Sequence, residues 1–126
     1  MKKINLGTTD LSIAPLIFGG NVFGWTIDEK TSFKLLDQFF EKGFNCLDTA
    51  DVYSAWAPGN KGGESETIIG KWLKKRGRRD DVVRITKVGY EVKNGLAKKH
   101  ILDAVEGDWQ RLETEETGLD VYRLDD

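Results

Sequence analysis

The chain has 126 residues, 39% hydrophobic and 32% charged, with a net charge of −2, a composition ordinary for a soluble globular protein and a length sufficient for one domain with its own core. Near-neutral charge gives no general attraction to nucleic acid or to an anionic membrane surface, and no apolar run approaches the roughly 20 residues of a membrane-spanning helix. The start, Met1-Lys2-Lys3-Ile4-Asn5-Leu6, lacks the long apolar region of a signal peptide.

In chain order, Ile4 and Leu6, then Leu11 and Ile13, alternate around Gly7-Thr8-Thr9-Asp10, which predicts a short β-hairpin. Residues 15–20 read as a buried strand running into a glycine break, and an aromatic-rich loop follows over 21–26. Asp28 is a suitable N-cap for a helix that carries Phe33, Leu36, Phe39 and Phe40 on one face, and Gly43 is suited to ending it. Residues 45–50 form a second apolar strand. The single cysteine, Cys46, lies in it; it has no internal partner, which points to a reducing cytoplasm, and it reads as buried filler.

A polar, glycine-containing loop over 53–63 leads to a second helix, about 65–75, with Ile68, Ile69, Trp72 and Leu73 as its inner stripe. Arg76-Gly77-Arg78-Arg79-Asp80 is a charged turn; with Asp following at once it reads as a solvated loop rather than a nucleic-acid site. Residues 81–87 form a third strand and 98–112 a third helix, with Ile101, Leu102, Val105, Trp109 and Leu112 at helical spacing. A fourth strand follows over 119–124. Three strand–helix alternations and a last strand predict an α/β fold of parallel strands joined by crossover helices, over 1–126 as one domain.

The chemistry concentrates in Gly43-Phe44-Asn45-Cys46-Leu47-Asp48-Thr49-Ala50-Asp51-Val52-Tyr53 and in Thr86-Lys87-Val88-Gly89. Each follows an apolar strand, so a carboxylate (Asp48), a phenol (Tyr53) and an ammonium (Lys87) can converge on one pocket at the strand ends. A positive charge beside a phenol lowers its pKa from about 10, which makes tyrosine a usable proton donor near neutral pH. The bland readings are an Asp48 that caps a turn, a Tyr53 that is an ordinary loop aromatic and a Lys87 at a solvated strand end. Glu64 and Glu66 read as acidic residues at a helix N-terminus, and His100 as a surface residue. No pair of His or Cys has metal-ligand spacing, and residues 59–63 lack the Gly-Lys-Ser/Thr ending of a phosphate loop.

Taken together and in order, the hairpin, Phe18-Gly19-Gly20-Asn21, the 43–53 stretch, Gly63-Glu64-Ser65-Glu66 with Gly70, and Thr86-Lys87-Val88-Gly89 resemble the N-terminal half of an aldo-keto reductase. The resemblance implies half of a (β/α)8 TIM barrel: an N-terminal β-hairpin, then (βα)3 and a fourth parallel strand. It also implies hydride transfer between NADP(H) and a small carbonyl or alcohol. Tyr53 is then the general acid, Lys87 the group beside it that lowers its pKa, and Asp48 the carboxylate that holds Lys87 charged and oriented. Gly19, Gly20 and Asn21, with Asp48, correspond to cofactor contacts, and the site belongs at the strands' C-terminal ends.

Four features depart from the family. Asp125 stands where the fourth strand ends in a histidine, unless that histidine is deleted. The link at 114–118 is about two residues longer than the usual pattern, Arg84 interrupts a strand expected to be apolar, and Asp108-Trp109 replaces a small residue followed by leucine. A barrel of this type takes about 250 residues, so the chain fits a fragment, a split protein, a decaying copy or an engineered half-barrel. Expected consequences are strand order 1-2-3-4, helices on the convex side, open edges that pair with a second copy or a complementing half-barrel, and no carbonyl turnover by the chain alone. The rival reading is a non-catalytic assembly or interaction module.

Overall fold

The structure is a computed structural model that describes residues 1–88, 98–114 and 118–122. Gly89, residues 115–117 of the link, Arg123 and Asp125 lie outside the described residues.

Strands β1 (Ile4–Asn5) and β2 (Ser12–Ile13) pair antiparallel as the expected hairpin, with Ile4 opposite Ile13. Then come β3 (Ile17–Gly19), α1 (Glu29–Glu41), β4 (Cys46–Asp48), α2 (Glu64–Arg76), β5 (Val83–Val88), α3 (Lys98–Arg111) and β6 (Leu119–Tyr122). The last four strands form one parallel sheet in the order β3-β4-β5-β6, as predicted. Local chemistry sets the boundaries. Asp28 caps α1 by accepting from the Thr31 N–H at 2.8 Å, and Gly43 leaves it at φ +89°. Gly77 closes α2 at φ +71°, where its N–H reaches the Leu73 carbonyl.

Strand alternation divides the side chains into two sets. On the helix side, Leu47 joins Leu36 and Phe39 of α1, Ile68, Ile69, Trp72 and Leu73 of α2, and Leu112 in one core, with Phe18 packed against it. Burying such side chains contributes about 1.5–3 kcal/mol each and accounts for most of the drive to this layer. On the other side, Cys46 and Ile85 meet Ile13 of the hairpin, with Leu6, Val83 and Leu119 around them. Asn45 clasps this floor: its amide accepts from Ala14 N–H at 2.8 Å and donates to the Ser12 carbonyl at 2.9 Å.

Two expectations need correction. The first strand is not buried, since Leu16 is 51% and Ile17 39% exposed; Ile17 shares the sheet face of Cys46, which β3 as an edge strand leaves uncovered. The inner stripe of α3 is rotated: Leu102 and Trp109 are exposed, whereas Asp108 and Leu112 are buried. A polar residue holds the inward position because charged partners await it there. Arg84 does sit in β5 as a buried residue, on the helix side together with Thr86. The charged turn after α2 folds on itself, Arg76 forking onto both Asp81 oxygens at 2.7 Å.

Candidate active site

Register places the chemistry at one end of the sheet. Gly19, Asp48 and Ile85 lie in one row across β3, β4 and β5, and Lys87 is two residues further along the same face of β5. The ladder continues past the end of β4, with Thr49 N–H on the Ile85 carbonyl at 2.8 Å and Asp51 N–H on the Lys87 carbonyl at 3.2 Å. The segment leaving Asp48 is therefore fixed against the strand that carries Lys87.

Asp48, Tyr53 and Lys87 come together. Lys87 Nζ donates to Asp48 Oδ1 at 2.6 Å, to the Thr49 carbonyl at 2.8 Å and to the Tyr53 hydroxyl at 3.0 Å. Three acceptors use all three ammonium hydrogens. Tyr53 OH reaches Asp48 Oδ2 at 3.1 Å, so the carboxylate touches both partners. The ammonium also lies 4.7 Å from the Tyr53 ring centre. The Lys87 and Asp48 side chains are 31% and 26% exposed, close enough to solvent for substrate access and sheltered enough for strong charge-assisted bonds.

Beside Tyr53 is a pocket of about 290 Å³ lined by Ala50, Asp51, Val52, Tyr53, Trp56, Lys87 and Val88. Trp56 packs edge-on to Tyr53 at 6.1 Å and to Trp25 at 5.4 Å between ring centres, and both indoles are 49% exposed. Sequence reasoning assigned these indoles no role. Their loops are tied together: Ser54, in the left-handed region at φ +72°, donates to the Phe23 carbonyl at 2.6 Å, and the Asn60 amide donates to the Gly24 carbonyl at 2.8 Å and the Ser54 carbonyl at 3.0 Å.

The expected cofactor contacts divide. Gly19 and Asn21 are exposed at the end of β3, next to Asp48 in register. Gly20 is buried, its carbonyl accepts from Ser65 Oγ at 2.7 Å, and a Cβ there would come within 2.9 Å of the Asp48 carbonyl. Cys46 is buried, and desolvation followed by the Asp48 charge pushes its thiol up to about 11, so it is no nucleophile. Among the described residues no group of three His, Cys, Asp or Glu is placed to hold a metal, and no helix is long and apolar enough to cross a membrane.

Glu66 lies in the first turn of α2, as its reading at a helix N-terminus expects, but it does more than that. It is fully buried, accepts the Thr86 hydroxyl at 2.5 Å and binds Arg111 Nε at 2.6 Å. Its spacing in α2 gave one signal: it lies three and seven residues before Ile69 and Leu73, on the apolar stripe.

A family model described as the Aldo/keto reductase family matches residues 15–126. The chain is 64% identical over 90 residues to an uncharacterised 11.2 kDa protein of Pseudescherichia vulneris, which covers 71% of this chain and 87% of that one. It is 35% identical to the uncharacterised oxidoreductase YrpG of Bacillus subtilis, over 98% of this chain and 40% of that one. Among solved structures, PA4992 of Pseudomonas aeruginosa superposes with a TM-score of 0.78 at 33% identity, over 94% of this chain and 45% of that one. The chain thus spans about two fifths of the longer relatives, and its parallel sheet with helices on one face is half of their barrel.

Proposed function

Since the chain belongs to the aldo/keto reductase family, we propose that it carries the proton-transfer half of an NADP(H)-dependent carbonyl reductase, active in a completed barrel. The observation that carries this reading is the three-way contact of Lys87 Nζ with Asp48, Tyr53 and the Thr49 carbonyl. Tyr53 faces the pocket and is the general acid: its hydroxyl gives a proton to the carbonyl oxygen as negative charge develops there. Lys87 donates to the Tyr53 oxygen and stabilises the phenolate that remains, and Asp48 keeps the ammonium aimed at it. When bound, the nicotinamide supplies the hydride.

Gly19 and Asn21 fit one edge of that cofactor, because they leave bare backbone and an amide exposed next to Asp48. Gly20 supports them from below through Ser65. The remaining grip belongs to strands beyond these four, supplied by a complementing half-barrel or a second copy over the open face. Residues 1–126 form one partial domain in this reading, and a reducing cytoplasm suits the single buried Cys46.

The test is NADPH titration of the purified chain by fluorescence, followed by NADPH oxidation with a reactive aldehyde, alone and with the C-terminal half of a relative. The chain alone is expected to show no turnover, and the reconstituted barrel turnover that Tyr53→Phe abolishes. Turnover that survives Tyr53→Phe would refute the assignment. A second reading, a non-catalytic assembly module, is favoured by the exposed Leu16 and Ile17; it predicts association without turnover in any reconstitution.

A further inference from the structure

On the helix side of the sheet Glu66, Asp108 and Arg111 meet in one seam between two helices, and Asp51, which also lines the Tyr53 pocket, adds its charge from the loop after β4. Glu66 of α2 and Asp108 of α3 are both fully buried. Arg111 joins them, Nε to Glu66 Oε2 at 2.6 Å and Nη2 to Asp108 Oδ1 at 2.5 Å. Asp51, half-buried in the loop after β4, faces Glu66, Asp108 and Arg111 from the third element. Gly63 leaves room for the guanidinium, since a Cβ there would lie 2.5 Å from Arg111 Cδ.

The free oxygen of Glu66 takes the hydroxyl of Thr86 at 2.5 Å. Thr86 is fully buried and directly precedes Lys87. Alternation puts the two side chains on opposite faces of β5, so the strand end is held from both sides, by Glu66 behind and by Asp48 and Tyr53 in front.

Charge does not balance in this seam. Asp51, Glu66 and Asp108 bring three carboxylates to the Arg111 guanidinium, with Asp120 and the buried Arg84 sharing the Thr86 face of the sheet next to them, and Asp108 Oδ2 has no hydrogen-bond partner among the described residues. A proton on Asp108 removes one charge and gives Oδ2 a bond to donate towards Glu66. Burial, then the charge of Glu66, pushes Asp108 up to about 8 against the pull of Arg111; burial likewise raises Asp51.

We propose that Glu66 is a positioning residue for Lys87, acting through the Thr86 hydroxyl, and that Asp108 holds the proton without which the Glu66–Arg111 seam does not stay closed. Once that proton leaves, repulsion among Asp51, Glu66 and Asp108 draws α2 and α3 apart and takes Glu66 away from Thr86. The end of β5 then loses its rear support, and Lys87 its fixed reach. This rests on reading Lys87 as an active-site group, but its test reads Lys87 directly and needs no turnover.

The experiment is trace acetylation of the purified chain, with Lys87 labelling normalised to the exposed Lys3 and folding followed by circular dichroism. In the wild type Lys87 is protected at about pH 6, and its labelling ratio rises about three- to tenfold by about pH 9, the loss expected for one hydrogen bond. Thr86→Val and Thr86→Ala raise the ratio already at the lower pH, whereas Thr86→Ser keeps it. Asp108→Ser keeps Lys87 protected at both. Wild-type protection in a folded Thr86→Val or Thr86→Ala variant overturns the positioning role. An Asp108→Ser ratio that rises with pH as the wild type does overturns the role of the proton.

Discussion

Replacing Asp108 by serine should reverse its effect on stability with pH. In the folded chain this carboxyl has a pKa of about 8 against an ordinary 3.8, burial being the main cause. A raised value means that the folded state holds a proton the unfolded state releases, so stability is full below 3.8, falls as pH rises, and levels off above about 8. Each pH unit in that window costs about 1.4 kcal/mol, which at pH 7 is about 4 kcal/mol. Against this, Asp108 accepts from the Arg111 guanidinium at 2.5 Å, and a hydrogen bond to a charged group contributes about 1.5–3 kcal/mol. Serine is too short to replace it. The variant is therefore less stable than the wild type near pH 4, equal at about pH 5 to 6, and more stable by about 1–3 kcal/mol at pH 7. Urea unfolding followed by circular dichroism across this range measures both curves. Parallel curves, or a variant that is weaker at every pH, would refute the reasoning.

Gly70→Ala should cost about 3 kcal/mol or prevent folding, because the new methyl would lie 2.9 Å from the Leu112 carbonyl carbon where α2 meets the end of α3; urea midpoints test it, and a change within experimental error contradicts the close approach. Asn60→Ala removes its bonds to the Gly24 and Ser54 carbonyls and leaves the Ser54–Phe23 bond as a remaining tie between the Trp25 and Trp56 loops, so acrylamide quenching of tryptophan fluorescence should rise while global stability drops by about 1–3 kcal/mol. The open sheet face, with Leu16 and Ile17 exposed, should make the chain self-associate; a compact monomer at high concentration in sedimentation would count against this.

Strand order and the meeting of Asp48, Tyr53 and Lys87 were legible because each rests on a local pattern: apolar runs with polar ends, glycines at breaks, and motifs whose order carried the resemblance. The stripes of α1 and α2 were legible for the same reason, their apolar residues being few and in phase. In α3 the phase was wrong because Leu102 and Trp109 outweighed Asp108 on hydrophobicity, although Asp108 is the buried one. The i,i+3 spacing of Asp108 and Arg111 stands in the sequence of α3, but nothing there announces that Glu66, on another helix, meets the same guanidinium. The buried contacts of Glu66 escaped for the matching reason: an acid in the first turn of a helix has a sufficient explanation there, and its link to Thr86 exists only after β5 has paired with β4. The exposure of β3 follows from its place at the sheet edge, which periodicity does not encode.

In the sheet, spatial order repeats chain order, β3 to β6. Each of these four strands therefore docks against one that has already left the ribosome. Asp48, Tyr53 and Lys87 all lie within β4, α2, β5 and their connections, so the trio is complete once synthesis has passed Val88 and that residue has cleared the exit tunnel. Synthesis at about 5–20 residues per second leaves seconds between the emergence of Asp48 and of Lys87. In that interval the carboxylate stands without its ammonium, and the arrival of β5 is the event that first gives the centre its charge balance.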